Sequence, residues 1–167
     1  AISLINQATL RSFKESLTAL AGQSDLVITA GEAGFPEENL ELVEKIRGVK
    51  RAVPVIEEHA YFVSAHSITE TLVILGVDLL REQGVRSYKT TDQEMINDPL
   101  VFLNQPDSIV VSETFAKQHG LELDSKLGLN TARGPKTFTV RGILVPEGVA
   151  KAFGGTLAIM DIDGARY

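Results

Sequence analysis

Short apolar runs alternate along this chain with glycines, prolines and charged residues, and the pattern predicts a succession of short strands and helices. The clearest unit lies in residues 108–144. Residues 109–111 are an apolar, β-branched run (Ile-Val-Val), which is typical of a buried strand. Ser112 offers a hydroxyl N-cap, and Gly120 stands where a left-handed residue ends a helix. We therefore predict a strand followed by a helix of roughly two turns over residues 113–119.

A β-hairpin is predicted directly after this helix, because apolar and polar residues alternate along two segments. The apolar residues share one face of each strand: Leu127 and Leu129 in the first, Phe138 and Val140 in the second. Thr139 points the other way. Within residues 131–136, Gly134 and Pro135 make the reversal. We expect the apolar face of this hairpin to close over the helix.

Two helices are predicted in the first third of the chain. The first covers roughly residues 4–21, where apolar residues recur at helical spacing: Leu10, Phe13, Leu17 and Leu20. The second covers about residues 37–47 and turns three apolar residues inward: Leu40, Val43 and Ile46. Acids at its start and bases at its end suit the helix dipole.

The remaining apolar runs predict strands. They lie at residues 25–30, 49–57, 60–67, 71–76 and 156–160. Pro54 cannot donate a ladder hydrogen bond, so its strand is expected at an edge or a bulge. Loop residues dominate from 78 to 98 and again from 146 to 155.

These elements predict an α+β fold of two lobes, each a small mixed or antiparallel sheet with helices. The first lobe comprises residues 1–92 and 155–167 and contains a βαβ-type unit at residues 25–57. The second lobe, residues 93–154, carries the strand, helix and hairpin and is inserted into the first.

Composition narrows the function classes. The net charge of −6 argues against binding to nucleic acid, and no basic cluster is seen to offset it. The absence of cysteine excludes disulfides, thiolate catalysis and Cys-based metal sites. No apolar run reaches the length of a membrane helix. The first residue is not Met and falls close to a predicted helix, so we expect the chain to be part of a larger protein.

No residue is assigned to catalysis, to a cofactor or to a metal. His59, His66 and His119 lack the Cys or i+4 His partners of a zinc site and are interpreted as surface or half-buried residues. Ser112 lacks the flanking glycines of a nucleophile elbow and is interpreted as a helix cap. A small hydrolase is therefore the least favoured function.

Two pairs of acidic residues are likewise not assigned to a metal site or to catalysis. Asp161 and Asp163 lack the other ligands of a calcium loop, so an N-cap and a first-turn acid are favoured. Glu57 and Glu58 are neighbours in a strand and point to opposite faces, so they cannot flank one substrate.

Aromatic residues in loops are left as candidates for partner contact: Phe35, Tyr88, Phe102 and Phe153. The alternative, that they fill the gap between the lobes, stays open for each. No partner-binding residue is assigned.

The order of the motifs resembles the MacB-like periplasmic core domain of ABC transporter permease proteins, the family that also carries the FtsX-like permease domain. The similar segments are V-V-S followed by a helix carrying F-A, then G-L, L-x-L and F-T-V-x-G-I-L in residues 110–144. Further similar segments are residues 12–22 followed by residues 24–28, residues 49–55 with Pro54, residues 74–78 and residues 158–161. Asp124-Ser125 departs from the Gly-Asp that is usual in the family.

The resemblance implies a non-catalytic extracytoplasmic domain that couples transmembrane-helix motion to the handling of a substrate or partner. It also implies flanking transmembrane helices, a dimeric permease, a cytoplasmic ABC ATPase as partner and no cofactor. A periplasmic adaptor or a lipoprotein is a further expected partner, and lipoprotein release and efflux are the expected processes. By the same resemblance the two termini should lie close together. A module that binds a lipoprotein, peptide or protein without transmitting force is the alternative.

Overall fold

The computed structural model describes residues 24–30, 34–63, 69–78, 80–81, 105–145 and 153–165. These residues contain six strands and three helices. The strands are β1 (Val55–Val63), β2 (Thr69–Val77), β3 (Ser108–Ser112), β4 (Lys126–Thr131), β5 (Gly134–Leu144) and β6 (Leu157–Asp161). The helices are α1 (Glu38–Glu44), α2 (Glu113–His119) and α3 (Ile162–Ala165). The predicted helix at residues 4–21, most of the loop-rich stretch at residues 78–98 and both chain ends lie outside the described residues.

The described strands close into one barrel in the order β1-β2-β6-β3-β5-β4. Two hairpins, β1-β2 and β4-β5, are antiparallel, while β6 pairs in parallel with β2 and β3 pairs in parallel with β5. Antiparallel pairing of β3 with β6 joins the two halves through Val110 opposite Ile159. The barrel closes where Tyr61 of β1 pairs with Asn130 of β4.

The α+β class is confirmed, but the prediction of a separate sheet in each lobe is wrong for the described strands. Strands from both predicted lobes share one barrel because β3 pairs with β6, and every residue of these two strands is buried. A strand that is buried on both faces needs neighbours on both edges. The predicted lobe boundary near residue 93 lies outside the described residues.

The interior of the barrel is the main core. All six strands contribute to it, with α2 and α3 adding Phe115, Ala116 and Ala165. Leu127, Leu129, Phe138 and Val140 of the predicted hairpin all belong to this cluster, together with Phe115, so the hairpin closes over the helix as expected. Each large side chain buried there contributes about 1.5–3 kcal/mol.

The junction of β3 and α2 follows the local sequence signals. Ser112 is extended at φ −65° and ψ 147°, and its Oγ accepts a hydrogen bond from the Phe115 N–H at 3.4 Å. Gly120 takes the left-handed conformation at φ 63° and ends the helix. The predicted N-cap and stop are both confirmed.

Several boundaries differ from the prediction. β1 is one strand of nine residues that replaces the two strands predicted at 49–57 and 60–67, and it begins directly after Pro54, which has no N–H for a ladder. The turn between β4 and β5 is made by residues 132–133, so Gly134 and Pro135 already lie in β5. In residues 25–30 the described chain has only an isolated bridge at Ala30.

α1 confirms the second predicted helix in a shorter form. It has no buried residue; Leu40 and Val43 are half-buried, whereas Ile46, predicted to face inward, is exposed. Among the described helices, none combines the length and the apolar character needed to cross a membrane.

Candidate interaction surface

Ser112 is a structural residue in this fold. It is buried, and besides capping α2 its hydroxyl donates a hydrogen bond to the carbonyl oxygen of Gly155. The hydroxyl therefore ties the turn that precedes β6 to the start of α2. The interpretation of Ser112 as a cap is confirmed, and its Oγ is engaged within the protein.

Asp161 and Asp163 take the positions predicted for a cap and a first-turn acid of α3. Asp161 Oδ1 accepts a hydrogen bond from the Asp163 N–H at 3.0 Å. Burial raises the pKa of Asp161, and the charges of Asp163 and Asp78 raise it further, while backbone hydrogen bonds from Asp163 and Ile162 oppose this. Within the described residues, no group of three or more His, Asp and Glu could hold a metal ion.

The histidines divide into three cases. His59 is exposed on β1, and His66 lies outside the described residues. His119 is half-buried, as interpreted from the sequence, and 7% of its side chain is exposed. Its ring contacts Phe62 and Phe115, with both centroid distances at 4.5 Å. His119 Nε2 lies 3.1 Å from Glu70 Oε2, so the residue ties the end of α2 to β2.

Glu57 and Glu58 are neighbours on β1, and both are exposed. Successive residues of a strand point to opposite faces, so the two carboxylates do not converge on one point. The prediction that the two carboxylates cannot flank one substrate agrees with this geometry.

A partly buried polar network around Thr139 was missed by sequence analysis. Lys126 Nζ donates to Thr139 Oγ1 at 2.6 Å, and Thr139 Oγ1 donates to Asp107 Oδ2 at 3.1 Å. Burial lowers the pKa of the nearby Lys136, and the charge of Asp107 opposes this change. The network forms because β3 pairs with β5, which brings Asp107 beside Thr139. Neither residue belongs to a local sequence pattern that predicts this pairing.

The four loop aromatics have different outcomes. Phe35 is 46% exposed, whereas Phe153 is half-buried against a second apolar cluster on the outer face of β2, β3 and β6. Tyr88 and Phe102 lie outside the described residues. Phe35 therefore stays a candidate for partner contact, and Phe153 serves packing.

Exposed aliphatic residues near Phe35 in the sequence extend the set of candidates. Leu26 is 84% exposed, and Val27, Ile28, Leu42 and Ile46 are exposed as well; Leu80, which is distant from Phe35 in the sequence, is 56% exposed. The sequence did not predict that these side chains are exposed, because residues 25–30 were expected to form a strand and Ile46 was expected to face inward. Large exposed aliphatic side chains on a folded domain are candidates for contact with another molecule.

Arg81 fixes α1 to the end of β2. Its guanidinium forms an ion pair with Glu44 of α1 and another with Asp78, the latter at 3.2 Å. The Arg81 carbonyl accepts a hydrogen bond from Arg51 Nη1 at 3.3 Å. These contacts place Leu80, the neighbour of Arg81, at the same end of the molecule as the end of α1.

Comparison with known families and proteins gives a consistent result. The family model of the MacB-like periplasmic core domain matches residues 1–167. An uncharacterized ABC transporter permease protein of Mycobacterium tuberculosis is 28% identical over 167 residues, which are 99% of this chain and 19% of that protein. The chain therefore spans about a fifth of the length of this curated relative.

Two solved structures are similar to the chain at low identity. The extracellular domain of the noncanonic ABC-type transporter YknZ from Gram-positive bacteria is 20% identical, with a TM-score of 0.47, over 84% of this chain and 69% of its own. The periplasmic region of MacB from Actinobacillus actinomycetemcomitans is 10% identical, with a TM-score of 0.44, over 77% of this chain and 55% of its own.

Proposed function

Because the chain belongs to the family of MacB-like periplasmic core domains, we propose that it is the extracytoplasmic core of an ABC transporter permease. In this role it performs no chemistry of its own. It couples movement of transmembrane helices to the handling of a substrate or partner outside the membrane. The observation that carries the proposal is the match of the family model to the whole chain, residues 1–167.

The barrel supports this role physically. Six strands hydrogen-bond around one core, so the body can move as a unit when one end is displaced. Transmission of force needs such a rigid element, since a soft connection would absorb the displacement. The exposed side chains of Phe35 and residues 26–28 offer it a contact with a partner.

The proposal extends to the ATPase, the second permease copy and the partner with which this domain works. The ATP that drives it is hydrolysed on a cytoplasmic ABC ATPase, either separate or fused, and two permease copies act together. A periplasmic adaptor or a lipoprotein is the expected partner, with efflux or lipoprotein release as the process. The division into a membrane-proximal part, residues 1–92 and 155–167, and a distal part, residues 93–154, stays a prediction about how these residues are placed in the permease.

A second function is a binding module that holds a lipoprotein, peptide or protein without transmitting force. The exposure of Phe35 and of the aliphatic residues near it in the sequence favours contact with a partner under both proposals. The two differ in one respect: only coupling makes the position of the domain depend on nucleotide.

Spin labels can separate these functions, because these 167 residues contain no cysteine and any cysteine elsewhere in the permease and its ATPase is replaced by Ser. Lys117→Cys places one label on the exposed surface of α2 in each copy of the full-length permease, reconstituted with its ATPase in lipid nanodiscs. Coupling predicts that the distance between the two copies changes when ATP is added. The pair Lys117→Cys and Arg133→Cys in one copy is the control, since both positions lie on the same barrel and their distance should stay constant.

Each outcome decides between the proposals. A label distance between copies that is the same with and without ATP contradicts coupling. Capture of a partner in that state supports the binding module instead. A change in the control distance contradicts the barrel as a rigid element.

A further inference from the structure

The end of α1 combines exposed aliphatic and basic side chains in a protein that is acidic as a whole. We call this surface the basic–apolar face, and define it by Leu42, Lys45, Ile46, Arg47, Lys50 and Leu80. Leu42, Ile46 and Leu80 are 61%, 57% and 56% exposed. The three basic residues are also exposed, and they fall within six consecutive positions of a chain whose net charge is −6.

Local geometry brings these residues together. Leu42 and Ile46 are four positions apart, and α1 ends between them, where Ile46 N–H donates to Val43 O at 3.1 Å. Gly48 has φ 100°, and the Val49 N–H donates to the Ile46 carbonyl at 3.0 Å, so a tight turn follows the helix and Lys50 lies directly after it. Leu80 is held at the same end because its neighbour Arg81 pairs with Glu44.

The acidic residues of α1 lie mainly toward its start. Glu37, Glu38 and Glu41 are in or before the first turn, whereas the basic residues follow the last turn. Glu44 and Asp78 both pair with Arg81, whose single positive charge offsets one of these two carboxylates. Lys45 lies 3.7 Å from Glu41 in a pair whose members are both more than two-thirds exposed, which holds Lys45 only weakly.

We propose that the basic–apolar face binds the surface of a bilayer that contains anionic lipids. Aliphatic side chains flanked by Lys and Arg suit the boundary between headgroups and acyl chains, because the long basic side chains reach the phosphates while the aliphatic ones enter the apolar layer. Each basic residue near an anionic surface adds an attraction that salt screens. This inference goes beyond the proposed function and does not depend on it.

Vesicle binding by the 167-residue chain tests the proposal. The chain has no Trp, so Leu42→Trp supplies a single fluorescent reporter on the face, and Leu123→Trp supplies one at an exposed position elsewhere on the surface. Vesicles contain phosphatidylcholine alone or with about 30 mol% phosphatidylglycerol, a content that gives a substantial negative surface potential. We expect the fluorescence of the Leu42→Trp variant to shift to the blue only with the anionic vesicles, and the shift to weaken as salt is raised. The Leu123→Trp variant should show no shift with either vesicle.

A matched pair of charge variants isolates the face. Arg47→Gln with Lys50→Gln removes two of its charges, whereas Arg133→Gln with Lys117→Gln removes one Arg and one Lys from exposed positions elsewhere. At about a fivefold effect for each basic residue, the first pair should weaken vesicle binding by about 25-fold. The second pair should change it by less than about threefold, since those charges lie away from the surface that binds. Thermal unfolding of both pairs verifies that each still folds.

Three results would overturn the proposal. One is equal binding to neutral and anionic vesicles, and another is an equal loss in both pairs of charge variants. The third is self-association: if sedimentation shows a dimer that Leu42→Ser abolishes, while vesicles give no blue shift, the face binds a second copy instead. Nucleotide-dependent movement of the full-length permease is measured separately, so failure here leaves the proposed function standing.

Discussion

The α-carbon of Gly76 in β2 faces the methyl group of Ala165 in α3, and a Cβ added at Gly76 would fall well inside van der Waals contact with that methyl. Ile56 of β1 lies 3.4 Å from the same added atom. Gly76 therefore sets how closely α3 packs against the β1-β2 hairpin. No other residue type fits this position without moving the helix or the strand.

Gly76→Ala should destabilise the protein by about 1–3 kcal/mol, the usual cost of an extra methyl group in a well-packed core. Gly128→Ala is the matched control, because Gly128 also lies in a strand but a Cβ there meets nothing within 4 Å. Urea unfolding of both variants gives the comparison. If Ala165→Gly in the Gly76→Ala background fails to recover most of the loss, the overlap with Ala165 is not its cause.

Ser112 and Ser108 stand at the two ends of β3, and both are buried, but only the first makes side-chain hydrogen bonds among the described residues. Ser112→Ala should cost about 1–2 kcal/mol, since it removes the α2 cap and the bond to the Gly155 carbonyl. Ser108→Ala removes a buried hydroxyl that has no partner there, so it should be neutral or stabilising. The free energies of unfolding of both variants provide the measurement, and equal losses would contradict the cap.

The sequence predicts those helices and strands whose ends or faces are marked by neighbouring residues. Ser112 and Gly120 mark both ends of α2 within a few residues of each other, and alternation marks β4 and β5. Barrel closure was not predictable in this way. The pairing of Val110 with Ile159 joins positions far apart in the chain, and an apolar strand does not indicate which other apolar strand it will meet.

The surface was less predictable than the core. Net charge averages over the chain, so it concealed the exposed Lys45, Arg47 and Lys50, and the prediction that no basic cluster offsets the net charge is wrong for this stretch. The helical spacing of the apolar residues also led to the prediction that Ile46 faces inward. The helix α1 ends at Glu44, however, and Ile46 is exposed. A count of basic residues in short windows would have found the stretch.

Phe115 and Phe35 differ in burial, so their replacement should affect stability differently. Phe115 is fully buried, with its ring centroid 5.6 Å from that of Phe62 and 4.5 Å from that of His119. Phe115→Ala should cost about 3–5 kcal/mol. Phe35→Ala should change stability by less than about 0.5 kcal/mol, because Phe35 is half exposed. Thermal unfolding measures both, and a large loss at Phe35 would assign it to packing rather than to partner contact.

Asp161 should make stability depend on pH in a defined direction. Burial raises its pKa above the ordinary value of 3.8, so between 3.8 and the raised value the folded protein binds more protons than the unfolded chain. The free energy of unfolding contributed by Asp161 therefore falls as pH rises through that window. At pH values below this window, the Asp161 carboxyl is protonated in both the folded and the unfolded state. It then no longer lowers the free energy of unfolding.

Asp161→Asn isolates this effect, because the amide oxygen can still accept the hydrogen bond from the Asp163 N–H but carries no charge. The variant should be more stable than the parent at neutral pH, and the difference should shrink toward zero as pH is lowered through the window. Asp161→Ala is the control that also loses the hydrogen bond, so it should gain less than Asp161→Asn at every pH. Urea unfolding across the acid and neutral range measures all three proteins, and stability curves of Asp161→Asn and the parent that run parallel would show that the buried carboxylate does not titrate as the structure requires.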